Sequence, residues 1–183
     1  EGLLFILVSP LGVYLTQPRS PIRPLLAYLA GLAVPLIVIL AFKSIAPPGD
    51  LFAGGDSLAK ITDPARYTII LKALGAQALA FGGGPPGLLP VLAVYALAMG
   101  AAQPPDARRG LAAIGAILIL QLLGYCAIFV LTPHDLAWHL GTALARLVLH
   151  IYPSGLFLLF CMARTPEEIF ELSAASAPQG KPA

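Results

Sequence analysis

Residues 111–131 read LAAIGAILILQLLGYCAIFVL, a run without a single Asp, Glu, Lys, Arg or His. At a rise of about 1.5 Å per residue such a run, folded as a helix, spans roughly 30 Å, the thickness of a bilayer's hydrocarbon core. Leu25–Phe42, Leu88–Ala102 and Leu147–Ala163 repeat the pattern almost free of ionised groups, and Leu3–Thr16 is a shorter relative interrupted at Ser9-Pro10. A soluble core does not need segments this pure, whereas a hydrocarbon solvent selects them. The sequence therefore predicts an all-α protein, a polytopic transmembrane helical bundle of about five crossings with interfacial amphipathic helices between them.

Composition leads to the same class. The chain of 183 residues is 58% hydrophobic and only 11% charged, against roughly 25% charged residues in ordinary soluble domains. Its net charge of +2 is small and its eleven Lys and Arg are scattered, so there is no basic footprint and nucleic acid is excluded as a partner. The partner that the composition does require is the lipid bilayer. Cys126 and Cys161 each lie within an apolar run with no neighbouring Cys or paired His, which suits packing rather than a disulfide or a metal. No cofactor motif is present: Gly82-Gly83-Gly84-Pro85-Pro86-Gly87 lacks the following Lys-Ser/Thr of a phosphate loop and reads as punctuation.

Residues 1–164 form the expected transmembrane helical domain. Pro18, Pro21 and Pro24 mark a short connection carrying Arg19 and Arg23, and 46–63 is the longest polar, turn-rich stretch. Asp63-Pro64 gives a helix an N-cap carboxylate and a proline at its first position. On the helix that follows, Tyr67, Ile70, Leu71, Leu74, Ala78 and Phe81 fall on one stripe and Arg66, Lys72 and Gln77 elsewhere. That pattern suits a helix lying in the interface, the alternative being a slightly polar crossing. Residues 165–183 are the second region. Thr165-Pro166-Glu167-Glu168 is a capping box opening a short polar helix to about Leu172, and a polar tail that reads as disordered follows. If the arginine-bearing turns 17–23 and 103–110 and the tail are retained on the cytoplasmic side, the chain sits in a bacterial inner (plasma) membrane with its C-terminus in the cytoplasm. The chain opens at Glu1, straight into an apolar run without an initiator Met or basic leader, and so reads as part of a longer protein.

Functional side chains concentrate in one place, Thr132–Arg146. Thr132, Pro133 and Asp135 make a helix start, and Asp135, His139, Thr142, Arg146 and His150 then recur at helical spacing as one polar stripe. Leu136, Leu140, Leu144 and Leu147 turn away from it. Arg146 is the sharpest member, because an arginine entering an apolar run is costly unless it meets an anion or water. Its guanidinium fork matches phosphate oxygens, so Arg146, with His139, is a candidate for binding a phosphate-bearing lipid head group. The plainer reading is that Arg146 snorkels or pairs with Asp135, and that Trp138 anchors the interface. A metal site from Asp135 and His139 lacks an obvious third ligand and is opposed by Arg146. No serine or cysteine nucleophile with a positioned base is visible.

The string LTPHDLAWHL at Leu131–Leu140, the basic Arg146 beyond it and the opening Glu1-Gly2 resemble the C-terminal half of polytopic glycosyltransferases of the GT-C class. That broad group includes protein mannosyltransferases and lipid A aminoarabinose transferases. Its members commonly carry a Thr-Lys-x-Glu-Gly stretch entering a membrane helix, whose final pair Glu1-Gly2 would be. The resemblance implies transfer of a sugar from a polyprenyl-phosphate carrier on the extracytoplasmic side, by direct displacement with a carboxylate base. It places that carboxylate in a loop upstream of Glu1, so no catalytic residue is expected within this chain, which is expected to be inactive alone. Arg146, His139, Asp135 and Glu1 are then expected to contact the donor phosphate or line its cavity. The rival is a non-enzymatic integral membrane protein, such as a transporter subunit, an assembly factor or an anchor domain, in which the stripe is a helix contact.

Overall fold

A computed structural model describes residues 2–17, 19–45, 56–83, 87–102 and 107–176. Among these the chain is predominantly helical, without a strand. The helices are α1 (Gly2–Thr16), α2 (Ile22–Ile45), α3 (Ser57–Thr62), α4 (Pro64–Ala80), α5 (Leu88–Met99), α6 (Arg108–Leu131), α7 (Leu136–Met162) and α8 (Pro166–Ser176). Three of them, α2, α6 and α7, are long and apolar enough to cross a membrane, and α1 and α5 are shorter apolar helices. The protein is an integral membrane protein built as an all-α bundle.

The frame is the α6–α7 hairpin. Thr132 closes α6, and Asp135 opens α7 by accepting a hydrogen bond from the Trp138 N–H at 2.8 Å. The polar run read from Asp135 onward and the apolar run Leu147–Ala163 are one continuous helix. Pro153 is accommodated inside it, as spanning helices tolerate. Phe129, Val130 and Tyr125 of α6 pack on Leu136, Leu140, Ala143, Leu144 and Leu147 of α7, and Ile70 of α4 joins them. The leucines predicted to turn away from the polar stripe are thus the core. Helix α1 lies antiparallel on α6: Leu4 fills the space over Gly124, and Ile117 fills that over Gly12. A methyl at either glycine would require the Leu4 or Ile117 side chain to move. Helix α2 buries no residue and is tied to α1 by a hydrogen bond between Ser9 and Tyr28.

Side-chain contacts set α4 lengthwise on the bundle. Asp63 caps α4 through the Ala65 N–H at 2.9 Å, with Pro64 behind it. Near that end Arg66 reaches the carbonyls that end α6, and at the other end Phe81 stacks on Tyr152, ring centroids 5.1 Å apart. From Arg66 to Phe81 is about 22 Å of helix, and from Leu136 to Tyr152 about 24 Å, so α4 must run beside α7 rather than across its end. The face turned inward carries Arg66, Ile70, Leu74 and Phe81, while Tyr67 and Leu71 stay exposed. The packed face is thus rotated from the expected stripe, because the α6 carbonyls draw Arg66 inward.

The glycine run punctuates as expected. Gly82 and Gly83 adopt φ of 101° and 107°, the left-handed region that favours glycine. Gly87 and Leu88 donate to the Leu79 and Phe81 carbonyls at 2.7 Å each. Helix α5 then continues along the far half of α7, Tyr95 meeting Phe160 with centroids 5.7 Å apart. In tandem α4 and α5 accompany α7 from end to end. A short antiparallel bridge finishes the arrangement: Ala102 N–H donates to the Met162 carbonyl at 2.8 Å and Arg164 N–H to the Gly100 carbonyl at 3.1 Å. Beyond it the capping box forms as read, Thr165 N–H to Glu168 Oε2 at 3.1 Å and Glu168 N–H to Thr165 Oγ1 at 3.3 Å. Helix α8 continues past Leu172 to Ser176, and the remainder of the predicted tail, 177–183, lies outside the described residues.

Candidate functional site

The hairpin end is organised around Thr132, which is 1% exposed. Its hydroxyl accepts from the His134 N–H at 3.3 Å and shares a hydrogen bond with His139 Nδ1 at 2.8 Å. Its carbonyl and that of Phe129 accept from Arg66 Nη2 at 3.4 and 3.3 Å. These are carbonyls left unpaired where a helix ends, so a cation there satisfies them and complements the negative end of the α6 dipole. Around this knot the rings of Phe129 and His134 lie 5.1 and 6.1 Å from that of His139, and Trp138 lies 5.8 Å from His134.

From the knot the polar stripe descends α7 as its spacing predicts. Asp135, Thr142, Arg146 and His150 are exposed and His139 is half-buried, while Leu136, Leu140, Leu144 and Leu147 are buried on the opposite side. The members differ in what they do. Asp135 is committed to capping α7. His139 is held by Thr132. The Thr142 hydroxyl bonds back to the Trp138 carbonyl at 3.0 Å. Arg146 lies two turns from His139 on the same face and one turn before His150. Glu1 lies outside the described residues.

Beside His150 the stripe meets a cavity of about 410 Å³, a wedge between α1 and α7 where both lean on α6. Gly2 and Phe5, Gln121 and Tyr125, and His150 and Ser154 contribute from the three helices in turn. Gln121 is 4% exposed and donates through Nε2 to the Tyr125 hydroxyl at 2.9 Å, and its Oε1 has no hydrogen-bond partner. Leu118 and Ile151 form one wall of this wedge and also face a second cavity of about 300 Å³, between α5, α6 and α7. Apart from the Tyr152 side chain the residues of that second cavity are apolar. The α6–α7 pair therefore carries on one side a pocket with a few polar groups in an apolar wall and on the other an almost wholly apolar one.

Three of these residues escaped the sequence. Arg66 falls off the apolar stripe of α4, and nothing local announces that it will meet carbonyls 63 residues downstream. Gln121 had a signal, since it is the one amide side chain in 111–131. Tyr125, one turn on, is its partner. No known protein family, curated protein or solved structure matches the chain.

Proposed function

We infer that this chain is the membrane portion of a glycosyltransferase that takes its sugar from a polyprenyl-phosphate carrier, with Arg146 contacting the carrier phosphate. The observation that carries the reading is the exposed Arg146 on a candidate spanning helix, one turn before the end of a polar stripe that meets a pocket at His150. An intramembrane cation so placed has a physical use when it meets an anion such as a phosphodiester. The likeness of Leu131–Leu140 and Arg146 to GT-C enzymes supplies the reaction class. On this reading His139 and Asp135 hold the hairpin end that positions the donor, and the arginine-bearing segments 17–23 and 103–110 and the C-terminus are cytoplasmic in a bacterial inner membrane. The test is Arg146→Ala in the full-length protein, assayed with a polyprenyl-phosphate sugar. Donor use should fall at least tenfold while membrane insertion persists, and Arg146→Lys should recover only part of it, because an ammonium cannot grip phosphate bidentately. Unchanged donor dependence would remove Arg146 from the site.

One observation favours the non-enzymatic reading. Asp135 and His139 already have structural employment in the N-cap and the Thr132 hydrogen bond, as expected of a stripe that only builds a hairpin. Under that reading Arg146→Ala changes assembly or stability and no transfer activity.

A further inference from the structure

We propose that the wedge between α1, α6 and α7 is a binding site for an uncharged, hydroxyl-bearing group. The first ground is the amide of Gln121. It is buried in a helix that crosses hydrocarbon, and its carbonyl oxygen has no donor. A buried acceptor left unpaired costs more than a typical satisfied hydrogen bond returns. Orphans of this kind beside a cavity call for a partner that enters from outside the chain. The second ground is polarity of the hydrogen bonding. Gln121 Nε2 donates to the Tyr125 oxygen, so the phenolic proton is directed elsewhere and the pair together offers one acceptor and one donor. A hydroxyl, which gives one proton and takes another, answers both.

The third ground is charge. The lining holds no carboxylate, lysine or arginine: Gln121, Tyr125 and Ser154 are neutral, His150 is its one titratable imidazole, and Gly2, Phe5, Ile117, Leu118 and Ile151 make the rest of the wall. Arg146 is not among the lining residues. A bare charge brought among these groups would lose its hydration with little return, whereas a polyol would not. At about 410 Å³ the space falls in the range of small-molecule sites. Gly2 and the 52%-exposed Phe5 stand at its edge, so the approach is from the flank of the bundle. The inference needs no transferase, and it names residues different from those that would hold a donor phosphate.

The test is thermal unfolding of the full-length protein in lipid nanodiscs, titrated with octyl β-glucoside, free glucose or octyl phosphate, in wild type, Gln121→Leu and Tyr125→Phe. Octyl β-glucoside should raise the midpoint in wild type, with apparent affinity reduced at least tenfold in Gln121→Leu and severalfold in Tyr125→Phe; a ligand that binds only the folded protein must stabilise it. If glucose acts in the same Gln121-dependent way the ligand is a free polyol, and if only the alkyl form does it is a lipid head group; both support the site. A response to octyl β-glucoside that is the same in all three proteins overturns it. So does Gln121-dependent stabilisation by octyl phosphate that exceeds that by the glucoside. Should Gln121→Leu fail to fold, Tyr125→Phe decides alone, and an unaltered glucoside affinity there rejects the proposal. Arg146→Ala should leave the glucoside response in place, so that failure of the phosphate reading and failure of this one are told apart.

Discussion

Helices α2 and α7 are both long apolar spans, but the more hydrophobic of the two is the one that buries nothing. Helix α7 carries a histidine pair, an arginine and a capping aspartate, and supplies half of the core. The contrast follows from the solvent. In a bilayer, lipid tails are as apolar as leucine, so hydrophobicity selects the environment of a helix without telling it to pack on a neighbour. What brings α7 to α6 is shape and hydrogen bonding: a tight hairpin, leucines at helical spacing against Phe129 and Tyr125, and a hydroxyl that links His139 to the turn.

That difference can be broken by substitution. Phe129→Ala, at a residue 1% exposed in the hairpin core, should lower unfolding free energy in mild detergent by about 3–5 kcal/mol. Ile37→Ala in α2, at a residue 65% exposed, should change it by less than about 0.5 kcal/mol. Equal losses would mean that α2 packs as tightly as α7. Glycines sharpen the comparison. A methyl at Gly87 would run into the Leu79 carbonyl, so Gly87→Ala should cost about 1–3 kcal/mol. Gly31 in α2 has open space around it, and Gly31→Ala should stabilise by about 0.5–1 kcal/mol through helix propensity alone. Asp135→Ala should cost about 1 kcal/mol by removing the α7 cap, with Asp135→Asn close to wild type because the amide oxygen can accept from the same N–H. A large loss of activity in Asp135→Asn at unchanged stability would give this carboxylate a role beyond the cap.

Legibility in the sequence tracks the distance over which an interaction acts. The caps at Asp63, Asp135 and Thr165 with Glu168 were readable because donor and acceptor lie within one turn. The leucine face of α7 and the polar stripe opposite it were readable because helical period fixes both together. Arg66 on the α6 carbonyls and Leu4 over Gly124 were not, since each joins segments that local patterns treat independently. The packing of α4 beside α7 was not readable for a related reason. An amphipathic pattern shows that a helix has two faces, and only the partner decides whether the polar one meets head groups or a helix end. The pocket was half legible: His150 stood on the predicted stripe, but Gln121 became meaningful only when α1 and α7 were seen to enclose it.

The antiparallel bridge joining Ala102 to Met162 and Arg164 to Gly100 also has a mechanical meaning. It rivets the exit of α5 to the exit of α7 immediately before α8 begins. A pull on α8 therefore loads two peptide hydrogen bonds in shear before any turn of α7 can unwind, and part of that force passes into α5 and, through Tyr95 and Phe160, back onto α7. Strain arriving through the C-terminal segment is thereby shared between α5 and the last turns of α7, away from the polar stripe at its start.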